Sequence, residues 1–353
     1  MVILDWEGIY MHEHGGNIAK YENVIDFSTN VNLAGMPESV RNAAMKGCID
    51  AEQYPEPYSR SLEGEIAEAE GLKEEHIICG NGAAELIFLV TETLKPRKAL
   101  LCVPTFAEYE EALNAVDCHV AHYVCHAEHD FIIQNDLLDY ISEDLDLIFL
   151  CNPNNPTGCL IPEKLLRKVV TICRDKKVFL VIDECFLDFT EEGQAISLKS
   201  ELKQNDRIVI IKAFTKTFAM PGLRLGYALS YNTCLIESIR KRMQPWSISL
   251  PAQYAGKAAL MEKRYLSESL LILKKERSYL MDQFKNLGYR VYGSEANFIF
   301  FDTGDETLFE RCLDKGFLIR DCSNFIGLKK GYYRIQVRNR QDNDALLIIL
   351  RER

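Results

Sequence analysis

The sequence predicts an α/β protein built on a mostly parallel sheet, followed by a smaller α+β unit. Three observations carry this. Leu147-Ile148-Phe149-Leu150 and Val178-Phe179-Leu180-Val181-Ile182 are unbroken apolar runs, and a strand with no polar face is one covered on both sides, as parallel strands are. Strand-like and helix-like segments alternate through short connections. After residue 250 the alternation yields to a long segment rich in Leu, Lys and Glu, then to a group of short strands.

The elements follow in order. Residues 1–44 contain Gly15-Gly16 and Gly35-Met36-Pro37 without a sustained period, so they are read as an arm plus part of the small domain. Residues 45–250 form the large domain. Its strands are predicted at 77–80, 98–104, 118–125, 146–151, 178–183, 207–213 and 225–230. Helical spacing is clear at 82–94, 106–115 and 162–176. Residues 251–353 form the C-terminal small domain. A single helix is predicted over 253–287, then strands at 289–293, 297–302, 317–321 and 332–337, with one helix between them and one at the end.

Composition narrows the function. A chain of 353 residues that is 47% apolar can bury a large core and fits about two domains. No run of roughly 18 apolar residues predicts a membrane span. Met1 to Glu7 lacks a basic segment followed by an apolar run, so no secretory signal is predicted. Twelve cysteines in no regular framework are read as reduced, which places the protein in the cytoplasm. A net charge of −11 disfavours nucleic acid as a partner, and an anionic ligand would need a local arginine cluster. Cys118, His119, His122, Cys125, His126 and His129 imitate a metal site. On a strand, however, same-face residues such as His122 and His126 lie about 13 Å apart, so no metal is expected.

Several segments carry chemistry. Asp183 ends a buried strand, where a carboxylate is costly without a cationic partner. Gly80-Asn81-Gly82-Ala83-Ala84-Glu85 turns from strand into helix, and the free N–H groups there suit a phosphate. It lacks the spacing of a dinucleotide-binding turn. Asn152-Pro153-Asn154-Asn155-Pro156-Thr157-Gly158 is rich in turn residues. Lys216 follows a β-branched strand, directly after Thr215, with Arg224 eight residues on in a Gly-flanked turn.

Together these segments resemble the pyridoxal 5′-phosphate (PLP) enzymes of the aspartate aminotransferase fold, the PLP-dependent transferase fold. The resemblance implies that Lys216 carries PLP as a Schiff base and that Asp183 pairs with the pyridine nitrogen. It implies that Asn155 donates to the ring oxygen and that Phe106 stacks on the ring. Gly82, Ala83, Ala84, Thr215 and Arg224 would hold the phosphate, joined by Tyr54 from a second copy, which implies a homodimer with shared sites. Arg334 would clamp an α-carboxylate by a two-pronged contact, with Arg338 a further candidate on the same strand. Two positions depart from the family pattern. Phe186 replaces a tyrosine that donates to the ring oxygen, and Ala213 replaces a hydroxyl residue of the phosphate loop.

Further segments are similar to the branch of this family that decarboxylates L-threonine O-3-phosphate to (R)-1-amino-2-propanol O-2-phosphate in cobalamin biosynthesis. They are His14-Gly15-Gly16-Asn17-Ile18, Phe27-Ser28-Thr29-Asn30-Val31-Asn32, Phe106-Ala107-Glu108-Tyr109, Pro245-Trp246-Ser247 and Ile319-Arg320-Asp321-Cys322-Ser323-Asn324-Phe325. Phe186 belongs to that branch too. The likeness implies a phosphorylated amino acid as substrate. Its phosphate would be bound by Arg320 and by His14 of the partner copy, with Asn30 nearby. The histidinol-phosphate aminotransferases are the alternative within the same family.

Overall fold

The computed structural model describes residues 14–352, so the first thirteen residues of the expected arm lie outside the described residues. In chain order the strands are β1 Ile25–Asp26, β2 Ile77–Gly80, β3 Lys98–Val103, β4 His119–Val124, β5 Leu147–Cys151, β6 Phe179–Asp183, β7 Ile208–Ala213 and β8 Gly226–Leu229. Then come β9 Arg290–Tyr292, β10 Phe298–Asp302, β11 Phe317–Leu318, β12 Arg320–Asp321 and β13 Tyr332–Gln336. The seven from β2 to β8 form one sheet in the order β2-β8-β7-β6-β5-β3-β4. Only β8 in that sheet runs antiparallel to its neighbours.

The apolar runs explain this sheet. Along β5, Leu147, Phe149 and Cys151 enter one buried cluster while Ile148 and Leu150 enter another on the opposite face. In β6, Val181 likewise opposes Leu180 and Ile182. Period-two side chains with both faces buried are what a strand between two helical layers requires. All seven predicted strands are found, each end within one residue of its predicted place.

The smaller unit holds a four-stranded antiparallel sheet in the order β12-β13-β10-β9. The N-terminal segment joins it, because β1 pairs in parallel with β11. Two predictions need correction here. The single helix over 253–287 is two helices, Leu250–Leu260 and Tyr265–Asn286. Between Ala259 and Ser269 neither helix buries a residue, so no apolar stripe carries a helix through Met261-Glu262-Lys263-Arg264. The first of the two packs on the helix Glu38–Ile49. Their approach is so close that a methyl group on Gly47 would stand 2.5 Å from Pro251 Cα. The predicted strand 317–321 is likewise two, since β11 pairs with β1 and β12 with β13.

Val103, Cys151, Asp183 and Ala213 are the last residues of β3, β5, β6 and β7, and all four line one cavity of about 590 Å³. Open α/β sheets bind ligands at this end of their strands. Among the described residues no helix is long and apolar enough to cross a membrane.

Candidate active site

Strand β7 ends at Ala213, and the four-residue helix Phe214–Thr217 that follows presents Lys216 to the cavity. Its Nζ lies 5.9 Å from the centre of the Phe186 ring. Burial, helped by the charges of Arg334 and Arg224, holds the amine down to about 8. A useful fraction is therefore uncharged near neutral pH, as a nucleophilic amine needs.

Thr215 is buried beside it. Arg224 adopts a left-handed backbone with φ 58°, and its Nη1 donates to the carbonyl of Pro221 at 3.2 Å. A methyl group on Gly82 would stand 2.4 Å from Arg224 Nη2, and Gly82 has φ +82°. Glycine there lets the guanidinium lie against the start of the helix Gly82–Leu94. Ala83 and Ala84 line the cavity at that start, where the first N–H groups of a helix have no partner within it.

Asp183 is 5% exposed and both its oxygens are engaged. Tyr109 Oη donates to Oδ2 at 2.7 Å, and the backbone N–H of Cys185 donates to Oδ1 at 2.9 Å. Burial and the neighbouring carboxylate push the Tyr109 hydroxyl well above its ordinary pKa, so it stays a donor. The Tyr109 ring stacks on Phe149 at 5.1 Å and meets Phe106 edge-on at 5.7 Å. The sequence reading gave Tyr109 no role. The available signal was a tyrosine three residues after Phe106 at a buried helix start, where its hydroxyl must find a partner.

The opposite wall comes from the small sheet and the N-terminal segment. Arg334, on β13, is 5% exposed. Its Nη1 donates to Asn155 Oδ1 and its Nη2 to the carbonyl of Ser28 at 2.8 Å. Its buried Nε has no partner among the described residues. Burial, reinforced by the charge of Arg320, lowers this guanidinium to about 10. Arg320 on β12 is the direct register partner of Arg334. It donates to Asn324 Oδ1 at 2.8 Å and lies 5.2 Å from the Phe325 ring. Asn30 is 4% exposed, and its Oδ1 has no partner among the described residues. His14 of this same chain, where the resemblance implied that of a partner copy, lines the cavity with its Nδ1 3.5 Å from Glu108 Oε1.

One cavity thus gathers His14, Asn30, Ala83, Ala84, Phe106, Asn155, Asp183, Thr215, Lys216, Arg224, Arg320 and Arg334, with Gly82 directly behind Arg224. Two candidates stand outside its lining. Arg338 follows the end of β13, where its Nε pairs with Asp342 at 2.9 Å and its Nη1 donates to the carbonyl of Asp26. Tyr54 is 83% exposed, its ring 5.2 Å from that of Trp246. Of the imitation metal site, His122 lies 3.2 Å from Glu110.

The residues fit PLP. A depressed amine, a buried carboxylate at a strand end and an arginine beside a helix start made bare by glycine match its aldehyde, ring nitrogen and phosphate. The comparisons agree. The family model "Aminotransferase class I and II" matches residues 22–350. A threonine-phosphate decarboxylase of Salmonella typhimurium is 33% identical over 97% of this chain and 97% of its own length. A histidinol-phosphate aminotransferase of Methanosphaera stadtmanae is 29% identical over 94% and 90%. The solved histidinol-phosphate aminotransferase of Clostridium acetobutylicum superposes with a TM-score of 0.85 at 32% identity, covering 92% of this chain and 97% of that one. A match over nearly the whole described chain, on a cavity that supplies each group the cofactor needs, establishes that this protein belongs to the PLP-dependent class I and II aminotransferase family.

Proposed function

We propose that the protein decarboxylates L-threonine O-3-phosphate to (R)-1-amino-2-propanol O-2-phosphate. The observation that carries this reading is the pair Arg320 and Arg334, register partners on β12 and β13 that both line the cavity. Like charges directly across an antiparallel pair are destabilising. An acidic chain that sets two arginines side by side is arranged for a ligand with two anionic groups. A phosphorylated amino acid has them, a carboxylate for Arg334 and a phosphate for Arg320. The similarity to the Salmonella enzyme supports the same choice.

Bound PLP supplies an electron sink for the pair released when a bond at the substrate α-carbon breaks. The chain's residues do the rest. Asp183, held by Tyr109 and the Cys185 N–H, keeps a positive ring nitrogen paired. Arg334 and Arg320 fix the two ends of the substrate and so decide which α-carbon bond points out of the ring plane. Small changes in that orientation change rates strongly. Lys216 Nζ delivers the proton that replaces the departing carboxylate on the α-carbon.

We also propose a homodimer with Tyr54 serving the partner's site. Support comes from its exposure and from exposed apolar residues around it, Ile49 five positions earlier in the chain at 79% and Trp246 beside its ring at 47%.

The second reading is an aminotransferase of the histidinol-phosphate type, favoured by the relatives of that name over most of the chain. One assay separates the two. PLP-loaded protein is given L-threonine O-3-phosphate with and without 2-oxoglutarate, and released CO2 is measured. CO2 release independent of the keto acid is the expected outcome. Absence of CO2, with glutamate formed from histidinol phosphate and 2-oxoglutarate, would establish the second reading instead.

A further inference from the structure

Glu108 has no place in the function described so far, yet it stands in the same cavity. Its side chain is 15% exposed. Oε1 faces His14 Nδ1 at 3.5 Å, while Oε2 is buried and meets no hydrogen-bond partner among the described residues. Among the described residues, the charged groups around it come from four elements. These are His14 from the N-terminal segment, Glu111 from its own helix Glu108–Asn114, Lys216 after β7 and Arg320 on β12. A carboxylate beside the two residues that would take a phosphate looks misplaced, because two anions in one buried site repel. A carboxylic acid does not have that fault. It adds an O–H donor where a phosphate needs one.

We propose that Glu108 belongs to the phosphate subsite and binds phosphomonoesters as the neutral acid, donating from Oε2, so that substrate binding takes up a proton. The inference rests on the reading that His14 and Arg320 form that subsite. Burial, with Glu111 adding to it and Lys216 and Arg320 opposing, raises Glu108 to about 7. The group is thus poised to be mostly ionised in mildly alkaline buffer and to gain its proton when a dianion arrives. The sign follows from linkage. A ligand that binds only the protonated form binds tightest below pH 7 and progressively more weakly above it.

The test uses PLP-loaded protein and n-propyl phosphate, which has a phosphate but neither amine nor carboxylate and is not turned over. Calorimetric titration at pH 8 in buffers of different ionisation enthalpy counts protons. Wild type is expected to take up about 0.9 proton and Glu108→Gln none, since the amide supplies a permanent donor. From pH 7 to pH 9 the affinity of wild type should fall about fifty-fold more than that of Glu108→Gln. Comparing the two proteins isolates the proton uptake that depends on the Glu108 carboxyl. The cofactor's visible absorbance confirms that the variant is folded and loaded, and the wild-type proton count alone can overturn the proposal. Binding without proton uptake sinks it while leaving the phosphate subsite standing, with Glu108 then an ionised partner of His14. Equal uptake by Glu108→Gln also sinks it. Failure of both proteins to bind the probe removes the subsite and the inference together. Proton uptake by wild type alone, in a protein that does not decarboxylate L-threonine O-3-phosphate, leaves the inference intact and overturns the assigned reaction.

Discussion

The two ends of the cavity are built differently. The end near Lys216 draws on the ends of β5, β6 and β7 in the large sheet and on the start of a helix, and none of its buried side-chain nitrogen or oxygen atoms is left without a partner among the described residues. Asp183 accepts from Tyr109 and Cys185, and Arg224 donates to Pro221. The far end draws on β12, β13, the N-terminal segment and the start of the helix Glu108–Asn114. There Arg334 Nε, Asn30 Oδ1 and Glu108 Oε2 are buried without partners among the described residues. Unpaired buried polar atoms are costly, so a site keeps them where a ligand will complete them. The first end is preorganised for a resident cofactor, and the second is finished only by what comes and goes.

The sharpest way to break this contrast is at the satisfied end. Lys216→Ala should lower CO2 release by at least about 10³-fold and remove the visible absorbance of lysine-bound cofactor. At the unsatisfied end, Arg320→Ala and Arg334→Ala should each reduce kcat/KM about 10²-fold, the cost of leaving an anionic group unpaired. Arg320→Ala should act on KM and leave the cofactor's absorbance unchanged.

Gly82→Ala tests the fit of the cradle. A methyl group 2.4 Å from Arg224 Nη2 at φ +82° must displace the guanidinium and strain the backbone. Equilibrium dialysis should show PLP binding weakened about tenfold. Capture of PLP by the cofactor-free protein should follow the free amine of Lys216, held to about 8. It should quicken about tenfold from pH 7 to pH 9 and then level off. Because the Arg334 charge helps to hold that amine down, Arg334→Ala should move the midpoint upward. The smallest effect belongs to Tyr109→Phe, which takes one donor from Asp183. It should lower stability by about 1–3 kcal/mol in urea unfolding, with PLP still bound.

Legibility in the sequence followed the same division. The large sheet could be read to within a residue because runs such as Val178–Ile182 announce a doubly covered strand. The residues expected to hold the cofactor could be singled out because several stand at or just past the ends of such strands, which the structure brings to one cavity. The small unit was harder. Nothing local distinguishes one five-residue strand at 317–321 from two short ones facing different partners, since β11 is set by pairing with β1, almost 300 residues away and invisible to periodicity. The helix break at 261–264 was missed because Leu, Lys and Glu favour helix whether or not a surface waits to cover them. Arg338 was read as lying on the strand of Arg334, but β13 ends at Gln336, and Arg338 turns to Asp342 instead. Tyr109 and Glu108 share one short motif, and only the surroundings show that one holds Asp183 while the other lines the cavity with a buried oxygen left unpartnered among the described residues.

The facing arginines have a consequence for handling the protein. Two like charges held across a strand pair as short as β12 attract any small oxyanion in solution before the substrate arrives. Phosphate and sulfate buffers should then compete with the substrate and raise the melting temperature relative to chloride at equal ionic strength, since whatever binds only the native state stabilises it. A KM measured in phosphate would describe the buffer as much as the enzyme.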